Sequence, residues 1–363
     1  MKVTVLGAAI VAISITTTVY AAPPVPVKAK AQAAVNKGVD YLKSVQEPDG
    51  SWSHYPATTA LAVTALLRNG RSEAKDPATA KGIQFLLKNV KPNGAIYSDE
   101  NPSTALPNYN TCLALIALNL TKNPSYKPTI QKAQQYLEKS QFDEEEGMNP
   151  TDPMYGGVGY GSRPDRPDLS NLQTSLEALT EAGTDKNAPV FKKAITFLQR
   201  VQARKESNDQ AWVNVSDNDG GFIYDSKGRS MAEKDGKARS YGSMTYAGLK
   251  SYIYAGVSKT DPRAQAAYDW LRGKYSVTEN PGLGQMGLYY YYHTMAKTLD
   301  VYGQKLLKDT AGKSHDWASD IASQLAATQR KNGSWFNDTA RWWEDQPALV
   351  TSYSLITLSY CLK

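Results

Sequence analysis

Carboxyl, hydroxyl, amide and imidazole side chains recur at the starts of the most apolar segments of the chain. Asp168 precedes one such segment, Ser170 and Asn171 follow directly, and His293 comes after four tyrosines in another. A carboxyl or imidazole group in an apolar setting can act as a general acid or base, so Asp168 and His293 are the candidate catalytic residues. The alternative, which the residue preferences favour, is that Asp168 is a helix N-cap and His293 a packed core histidine.

The other polar and aromatic residues near these segment starts are candidate ligand-binding residues. Aromatic rings supply apolar contact area, and their faces can stabilise a cation. Filling of gaps between helices is the alternative role for the same rings. The candidates are Tyr109, Asn110, Ser170, Asn171, Tyr241, Tyr246, Gln285, Tyr289, Trp342 and Glu344.

The residue types that bind metals are scarce in this chain. It has three histidines and two cysteines, and none of them forms a close pair of the H-x-x-x-H or C-x-x-C kind. A Gly-rich phosphate loop and a G-x-S-x-G elbow are also missing from the sequence. We therefore predict neither a metal nor a cofactor, and we expect Cys112 and Cys361 to be free thiols within apolar helices.

Composition excludes several classes of protein. The 363 residues are 41% hydrophobic and 21% charged, an ordinary globular balance that excludes intrinsic disorder. The 41 basic and 35 acidic residues give a net charge of only +6, without a block of Lys or Arg. This argues against a nucleic-acid partner, because such binding depends on phosphate contacts. Oligomeric state cannot be inferred from these numbers.

The elements that must position these residues are helix pairs, repeated about six times. Each copy has an amphipathic helix, a turn with Gly and an aromatic residue, and a more apolar helix; the first copy spans 33–70. Copies three to five carry longer turns, for example at 142–168 and 203–239. An outer amphipathic layer around an inner apolar layer predicts an all-α fold, an (α/α)6 toroid formed as one domain over 31–363. A linear helical solenoid is the alternative.

The amino-terminal segment has the pattern of an export signal. Lys2 precedes an apolar run over 3–15, and small residues at Val19 and Ala21 suit cleavage after Ala21. We predict a signal peptide at 1–21, an extended leader at 22–30 and a secreted or periplasmic protein with no transmembrane span after signal removal. The alternative is a short membrane anchor, for which the apolar run is shorter than the roughly 20 residues required.

Two turns share one motif. The spacing Gln46-x-x-x-Gly50-x-Trp52 recurs as Gln329-x-x-x-Gly333-x-Trp335, and four degraded copies cover most of the remaining chain. This motif resembles the QW repeat of squalene–hopene and oxidosqualene cyclases, which protein prenyltransferase β-subunits share in a looser form. The resemblance implies the α/α toroid of that family. Its residues serve a turn, which makes it informative about fold and not about reaction.

The catalytic motifs of the resembled family are incomplete here. Class II cyclases protonate their substrate with the middle Asp of D-x-D-D, and the nearest counterpart is Asp168-Leu169-Ser170-Asn171, with Ser170 in place of the acid. A hydroxyl group is far too weak an acid for that step, so the usual class II cyclisation is not expected. The resemblance therefore implies a divergent member, and the zinc site of the prenyltransferases has no counterpart.

Three functions remain open at this point. The first is an exported terpenoid-cyclase-like protein that binds an isoprenoid or other apolar small molecule in an aromatic-lined central cavity. The second is a carbohydrate-active hydrolase or lyase. Its acid–base candidates are Asp168, Asp219, Arg239, His293, Glu344 or a tyrosine of the cavity. The third is a non-enzymatic interaction module that presents the long turns to a partner. We rank them in that order.

Overall fold

The computed structural model describes residues 25–101, 105–162 and 165–363. The predicted signal peptide and the first three residues of the predicted leader lie outside the described residues. Within them the chain forms twelve α-helices, four 3-10 helices and one two-stranded antiparallel ladder. The 3-10 helices are Pro124–Tyr126, Glu144–Glu146, Ala211–Val215 and Arg341–Trp343, and the strands are β1 (Leu307–Lys308) and β2 (Ser314–His315).

The twelve helices alternate between two layers along the chain. The outer layer consists of α1 (Val25–Ser44), α3 (Pro77–Lys88), α5 (Lys127–Glu138), α7 (Pro189–Arg200), α9 (Pro262–Gly273) and α11 (Trp317–Thr328). The inner layer consists of α2 (Pro56–Arg68), α4 (Pro107–Leu120), α6 (Leu169–Glu181), α8 (Gly242–Tyr254), α10 (Leu288–Tyr302) and α12 (Pro347–Cys361).

The inner helices close into a ring. Each packs against the next in chain order, and α12 packs back against α2. The first outer helix, α1, contacts both α11 and α12, so the ends of the chain meet at this closure. A linear solenoid would leave its first and last helices apart. The predicted all-α (α/α)6 toroid is thus confirmed.

The distribution of buried residues around each helix agrees with the layer in which the helix lies. In α2 every residue from Pro56 to Leu66 is buried, because the helix is covered on all sides. In α7 burial is confined to one face that includes Val190, Ala194 and Phe197, as expected for a helix with one side in water. Pro occupies the first turn of several helices, where its missing N–H removes no intrahelical hydrogen bond.

The Gln-x-x-x-Gly-x-Trp turn at 46–52 connects the first helix pair to the outer helix of the next pair. Gln46 Nε2 donates to the carbonyl oxygens of Gly50 and Ala78, both at 2.9 Å, and Ala78 belongs to α3. Trp52 is fully buried, and its Nε1 donates to Leu42 O at 2.8 Å. Gly50 has φ +91°, and a Cβ there would lie 2.5 Å from the carbonyl oxygen of Lys81, so only Gly fits.

The same bridge recurs around the ring, also where the Trp is missing. Gln329 Nε2 donates to Gly333 O and to Ala34 O of α1, both at 2.8 Å, which joins the last turn to the first helix. Gln141 bridges in the same way to α7, and Gln202 to α9. The motif acts as a structural connection between neighbouring repeats.

The start of the first helix differs from the prediction. Residues 25–30 were expected to be part of an extended leader, but α1 already begins at Val25. Pro26 lies in the first turn, where a helix tolerates proline. Packing of α1 on α11 and α12 supports its early turns, and Ala31 is fully buried. No helix in the described ranges is long and apolar enough to cross a membrane.

Candidate ligand-binding cavity

A cavity of about 560 Å³ lies where the inner helices begin. All six inner helices contribute to it from their first two turns, so their positive amino-terminal ends surround it. The helical lining residues are Ala57, Thr58, Leu61, Tyr109, Ser170, Ser243, Met244, Tyr290, Leu349 and Tyr353. The volume is within the range of small-molecule sites.

Turn residues complete the wall. They are Tyr55, Leu106, Tyr160, Tyr224, Tyr241 and the segment 340–344. Tyr160 comes from the long turn at 142–168 and Tyr224 from the long turn at 203–239, so each insertion reaches the cavity. With the helical residues, seven tyrosines and two tryptophans line it. The lining is therefore largely aromatic, which suits an apolar ligand.

The hydroxyl groups of the lining bond mostly to one another. Tyr109 Oη lies 3.4 Å from Tyr353 Oη, and Tyr160 Oη lies 3.4 Å from Tyr224 Oη. A third hydroxyl pair, Ser170 Oγ and Tyr290 Oη, is separated by 3.1 Å. These contacts hold the rings in position and reduce the number of polar atoms left for a ligand.

Glu344 is the carboxylate of the described lining. It is 1% exposed and is held at the start of α10, where the backbone N–H groups of Tyr289 and Tyr290 donate to it at 3.3 and 2.8 Å. Asn337 Nδ2 donates at 2.6 Å. Burial raises the pKa of Glu344 to about 7, although the hydrogen bonds from Asn337 and from the backbone act in the opposite direction. Glu344 can therefore exchange a proton near neutral pH.

Asp168 lies behind the cavity wall as the N-cap of α6. Its carboxylate accepts hydrogen bonds from Asn171 N at 2.9 Å and from Asn171 Nδ2 at 2.7 Å. Burial raises its pKa to about 6, while hydrogen bonds from Asn171 and Tyr224 act to lower it. Tyr224 connects Asp168 to the cavity, but Asp168 is not among the lining residues.

The mouth of the cavity is formed by Arg341, Trp342 and Trp343. Both tryptophans are 42% exposed, and both have a left-handed backbone, with φ of +57° and +63°. The guanidinium of Arg341 stacks over the Trp342 ring at 5.3 Å, and Trp343 contacts Tyr55 edge-on at 5.7 Å. Such strained, exposed aromatic residues are typical of functional loops.

His293 belongs to a different environment, deeper in the ring. It is buried, its ring lies 5.0 Å from that of Tyr353, and burial together with nearby Lys297 holds its pKa well below the usual range. Later turns of the inner helices carry buried charges there: Glu177 forms ion pairs with Lys250 and Lys297. These groups lie outside the cavity lining, which argues for a role in packing.

Of the ten predicted ligand-binding residues, five line the cavity and five have other contacts. Tyr109, Ser170, Tyr241, Trp342 and Glu344 line the cavity. The other five do not: Asn110 donates to Tyr55 Oη at 3.2 Å, Asn171 bonds Asp168, Tyr246 packs on Tyr291, Tyr289 packs on Tyr292, and the exposed Gln285 donates to Thr278 O.

Two further acid–base candidates are engaged elsewhere. Asp219 accepts hydrogen bonds from Ser240 Oγ at 2.7 Å and Trp270 Nε1 at 2.9 Å, and Arg239 forms an ion pair with Asp217. In the described part of the chain, no group of three or more His, Cys, Asp or Glu side chains could hold a metal ion.

Sequence reasoning missed several lining residues. Within the run 289–292 it selected Tyr289, but the inward ring is that of Tyr290, whereas the hydroxyls of Tyr291 and Tyr292 donate to backbone carbonyls at Ser276 and Val277. Four adjacent tyrosines of identical type contain no spacing signal that singles out Tyr290. Tyr55, Tyr160, Tyr224 and Tyr353 gave no signal either.

Known structures of the same fold have diverse activities. A variant of type II terpene cyclase MstE from Scytonema, in complex with geranylgeranyl dihydroxybenzoate, matches with a TM-score of 0.56 and 12% identity, covering 93% of this chain and 98% of that one. An alpha-amylase from Clostridium perfringens matches with a TM-score of 0.56 and 11% identity, covering 90% and 97%.

A D-mannose isomerase matches with a TM-score of 0.56 and 11% identity over 92% of this chain and 96% of that one. No protein-family model matches the chain. At such low identity these likenesses show the fold alone. The chain has the α/α toroid fold that terpene cyclases share with other enzymes.

Proposed function

We propose that this protein binds an isoprenoid or other apolar small molecule in the central cavity. The observation that carries the proposal is the cavity itself, about 560 Å³ in volume and lined by nine aromatic side chains at the convergence of six helices. Burial of apolar ligand surface against such rings is the main source of affinity in sites of this kind. The terpene cyclase of the same fold holds a geranylgeranyl compound, which supports this ligand class.

The proposed function is binding, not the usual class II cyclisation. If residues 168–171 correspond to D-x-D-D, Asp168 is the acid that survives, and it caps α6 behind the wall. The carbohydrate-active alternative has less support, because sugar hydrolysis calls for a pair of carboxylates facing one substrate. Glu344 is the single carboxylate in the described lining. Export, inferred from residues 1–21, is part of the proposal.

The test is binding of a panel of isoprenoid alcohols and hydrocarbons, followed by native mass spectrometry and tryptophan fluorescence. We expect a one-to-one complex and a change in emission from Trp342 and Trp343. Met244→Trp, which fills the lined space, should abolish binding, whereas Val215→Trp should not, because Val215 is 58% exposed and lies outside the lining. Ser170→Phe serves as a second filled variant if Met244→Trp does not fold.

A control variant shows whether the fluorescence change comes from Trp342 and Trp343, independently of ligand binding measured as added mass. In Trp342→Phe/Trp343→Phe the fluorescence change should disappear while the added mass persists. Absence of a complex with every compound of the panel would contradict the proposed function, as would equal binding by a folded filled variant and the wild type.

A further inference from the structure

The cavity wall has more hydroxyl hydrogens than acceptors for them. Ser170 Oγ and Tyr290 Oη lie 3.1 Å apart, so one hydrogen joins them and the other has no assigned acceptor among the described residues. Ser243 Oγ accepts from Asn280 Nδ2, which leaves its own hydrogen similarly unassigned. Hydroxyl hydrogens of this wall are therefore free to bond to a ligand.

The Ser170–Tyr290 pair is the most firmly positioned of these donors. Gln173 Nε2 donates to Tyr290 Oη at 3.1 Å and to Thr174 Oγ1 at 2.7 Å, which uses both amide hydrogens. Thr174 Oγ1 donates in turn to Ser170 O at 2.8 Å. Because an amide nitrogen can only donate, Tyr290 Oη is the acceptor and must direct its own hydrogen toward Ser170 or the cavity.

The surroundings of the Ser170–Tyr290 pair also favour a ligand oxygen atom as its hydrogen-bond partner. Ser170 lies in the first turn of α6, and Tyr290 lies in the first turn of α10, where the helix dipoles are positive. Glu344 is the acceptor of the described lining, but backbone N–H groups and Asn337 already donate to it. Gln173 is 4% exposed, and its Oε1, an acceptor, has no partner among the described residues, which favours a ligand hydroxyl that donates as well as accepts.

We propose that the Ser170–Tyr290 pair is a polar subsite that binds an oxygen atom of the ligand, so that the cavity selects oxygen-bearing isoprenoids, alcohols foremost, over hydrocarbons of the same shape. This inference rests on the proposed binding function and specifies its ligand class. Ser170 and Tyr290 would contact the oxygen directly, and Gln173 would act as a positioning residue for Tyr290. An alcohol is favoured because it can also donate to a nearby acceptor.

The test compares farnesol with the hydrocarbon in which a methyl group replaces its CH2OH group. We expect the wild type to bind farnesol at least tenfold more tightly. Ser170→Ala and Tyr290→Phe should each remove most of that preference by weakening farnesol binding, with little change for the hydrocarbon. Tyr289→Phe is the matched control, because it removes the hydroxyl group of the adjacent tyrosine, whose ring packs on Tyr292 outside the lining, and it should retain the preference.

Two variants test whether Gln173 positions Tyr290 or only supports the packing of the cavity wall. Gln173→Leu should reduce the preference for farnesol, and Gln173→Glu should reduce it as well, because a carboxylate cannot donate to Tyr290. Loss of affinity for both ligands would instead indicate general damage to the cavity and would overturn the positioning role.

The outcomes distinguish this inference from the proposed function. Equal binding of farnesol and the hydrocarbon by the wild type would overturn the polar subsite and leave the apolar cavity intact. A preference that survives in both Ser170→Ala and Tyr290→Phe would overturn the assignment to this pair. Failure of both ligands to bind the folded wild type would contradict the proposed function itself.

Discussion

At the scale of single residues, Glu344 has the most consequential environment. Its carboxylate is buried at the cavity wall and at the start of α10, and no described Lys, Arg or His forms an ion pair with it. Backbone and amide donors take the place of a counter-ion. A buried charge stabilised only by dipoles is sensitive to pH, because protonation relieves its desolvation.

This environment predicts a specific pH dependence of stability. The pKa of Glu344 rises from 4.5 to about 7 on folding, so between these values the folded state binds a proton that the unfolded state has released. Stability should therefore fall as pH rises through this window, by up to about 3 kcal/mol, with the loss complete above pH 7. Glu344→Gln should remove most of this fall in urea unfolding at pH 4.5 and 7.5.

The comparison requires a matched control, because other carboxylates also titrate. Glu279→Gln changes the net charge equally at an exposed position and should keep the wild-type slope. Asp168, whose pKa rises from 3.8 to about 6, adds a smaller fall of the same sign at lower pH. An identical slope in Glu344→Gln and in the wild type would show that the folded-state pKa of Glu344 is not raised.

At the scale of elements, helix phase decides which predicted residues face the cavity. Neighbouring residues of a helix point about 100° apart, so choosing Tyr289 in place of Tyr290 moves the ring from the cavity to the outer layer. Tyrosines of identical type occupy four successive positions in α10, and the helix is buried on nearly every side, so residue type alone does not identify the inward position. Sequence analysis could therefore locate the helix start but not its inward residue.

The bridging glutamines lead to a prediction at the same scale. Gln46→Ala leaves the carbonyls of Gly50 and Ala78 without their side-chain donor, and we expect it to lower the free energy of unfolding by about 1–3 kcal/mol. Gln32→Ala deletes an exposed amide on α1 and should change it by less than about 0.5 kcal/mol. Urea unfolding of both variants provides the measurement, and equal effects would contradict a bridging role for the motif.

At the scale of the whole molecule, the sequence contained more information about the ring than about the site. Apolar inner helices and the Gln–Gly–Trp turns predict paired layers, because both are local patterns. Tyr160 and Tyr224 could not be assigned in this way, because they lie in long turns whose return to the ring centre depends on tertiary packing. Tyr109, Ser170, Tyr241, Trp342 and Glu344 were accessible to sequence reasoning because they sit at or next to predicted helix starts.

The architecture also gives the two ends of the ring different chemistry. Aromatic and hydroxyl groups surround the end at which the inner helices begin, whereas later turns carry the buried ion pairs of Glu177 with Lys250 and Lys297. Arg68 and Glu181 add a further ion pair at 3.1 Å. An apolar ligand cannot form hydrogen bonds with these charged groups and would not compensate them for lost solvation, so binding is expected only at the aromatic end.

The most direct test of the central claim is photolabelling with an isoprenoid alcohol that carries a diazirine, followed by peptide mapping. We expect labels on peptides that contain Tyr109, Tyr290 and residues 340–344, and competition by unlabelled farnesol. Met244→Trp should lose these labels. Labelling concentrated on the outer helices, or unchanged in the folded Met244→Trp variant, would contradict the assignment of the central cavity as the binding site.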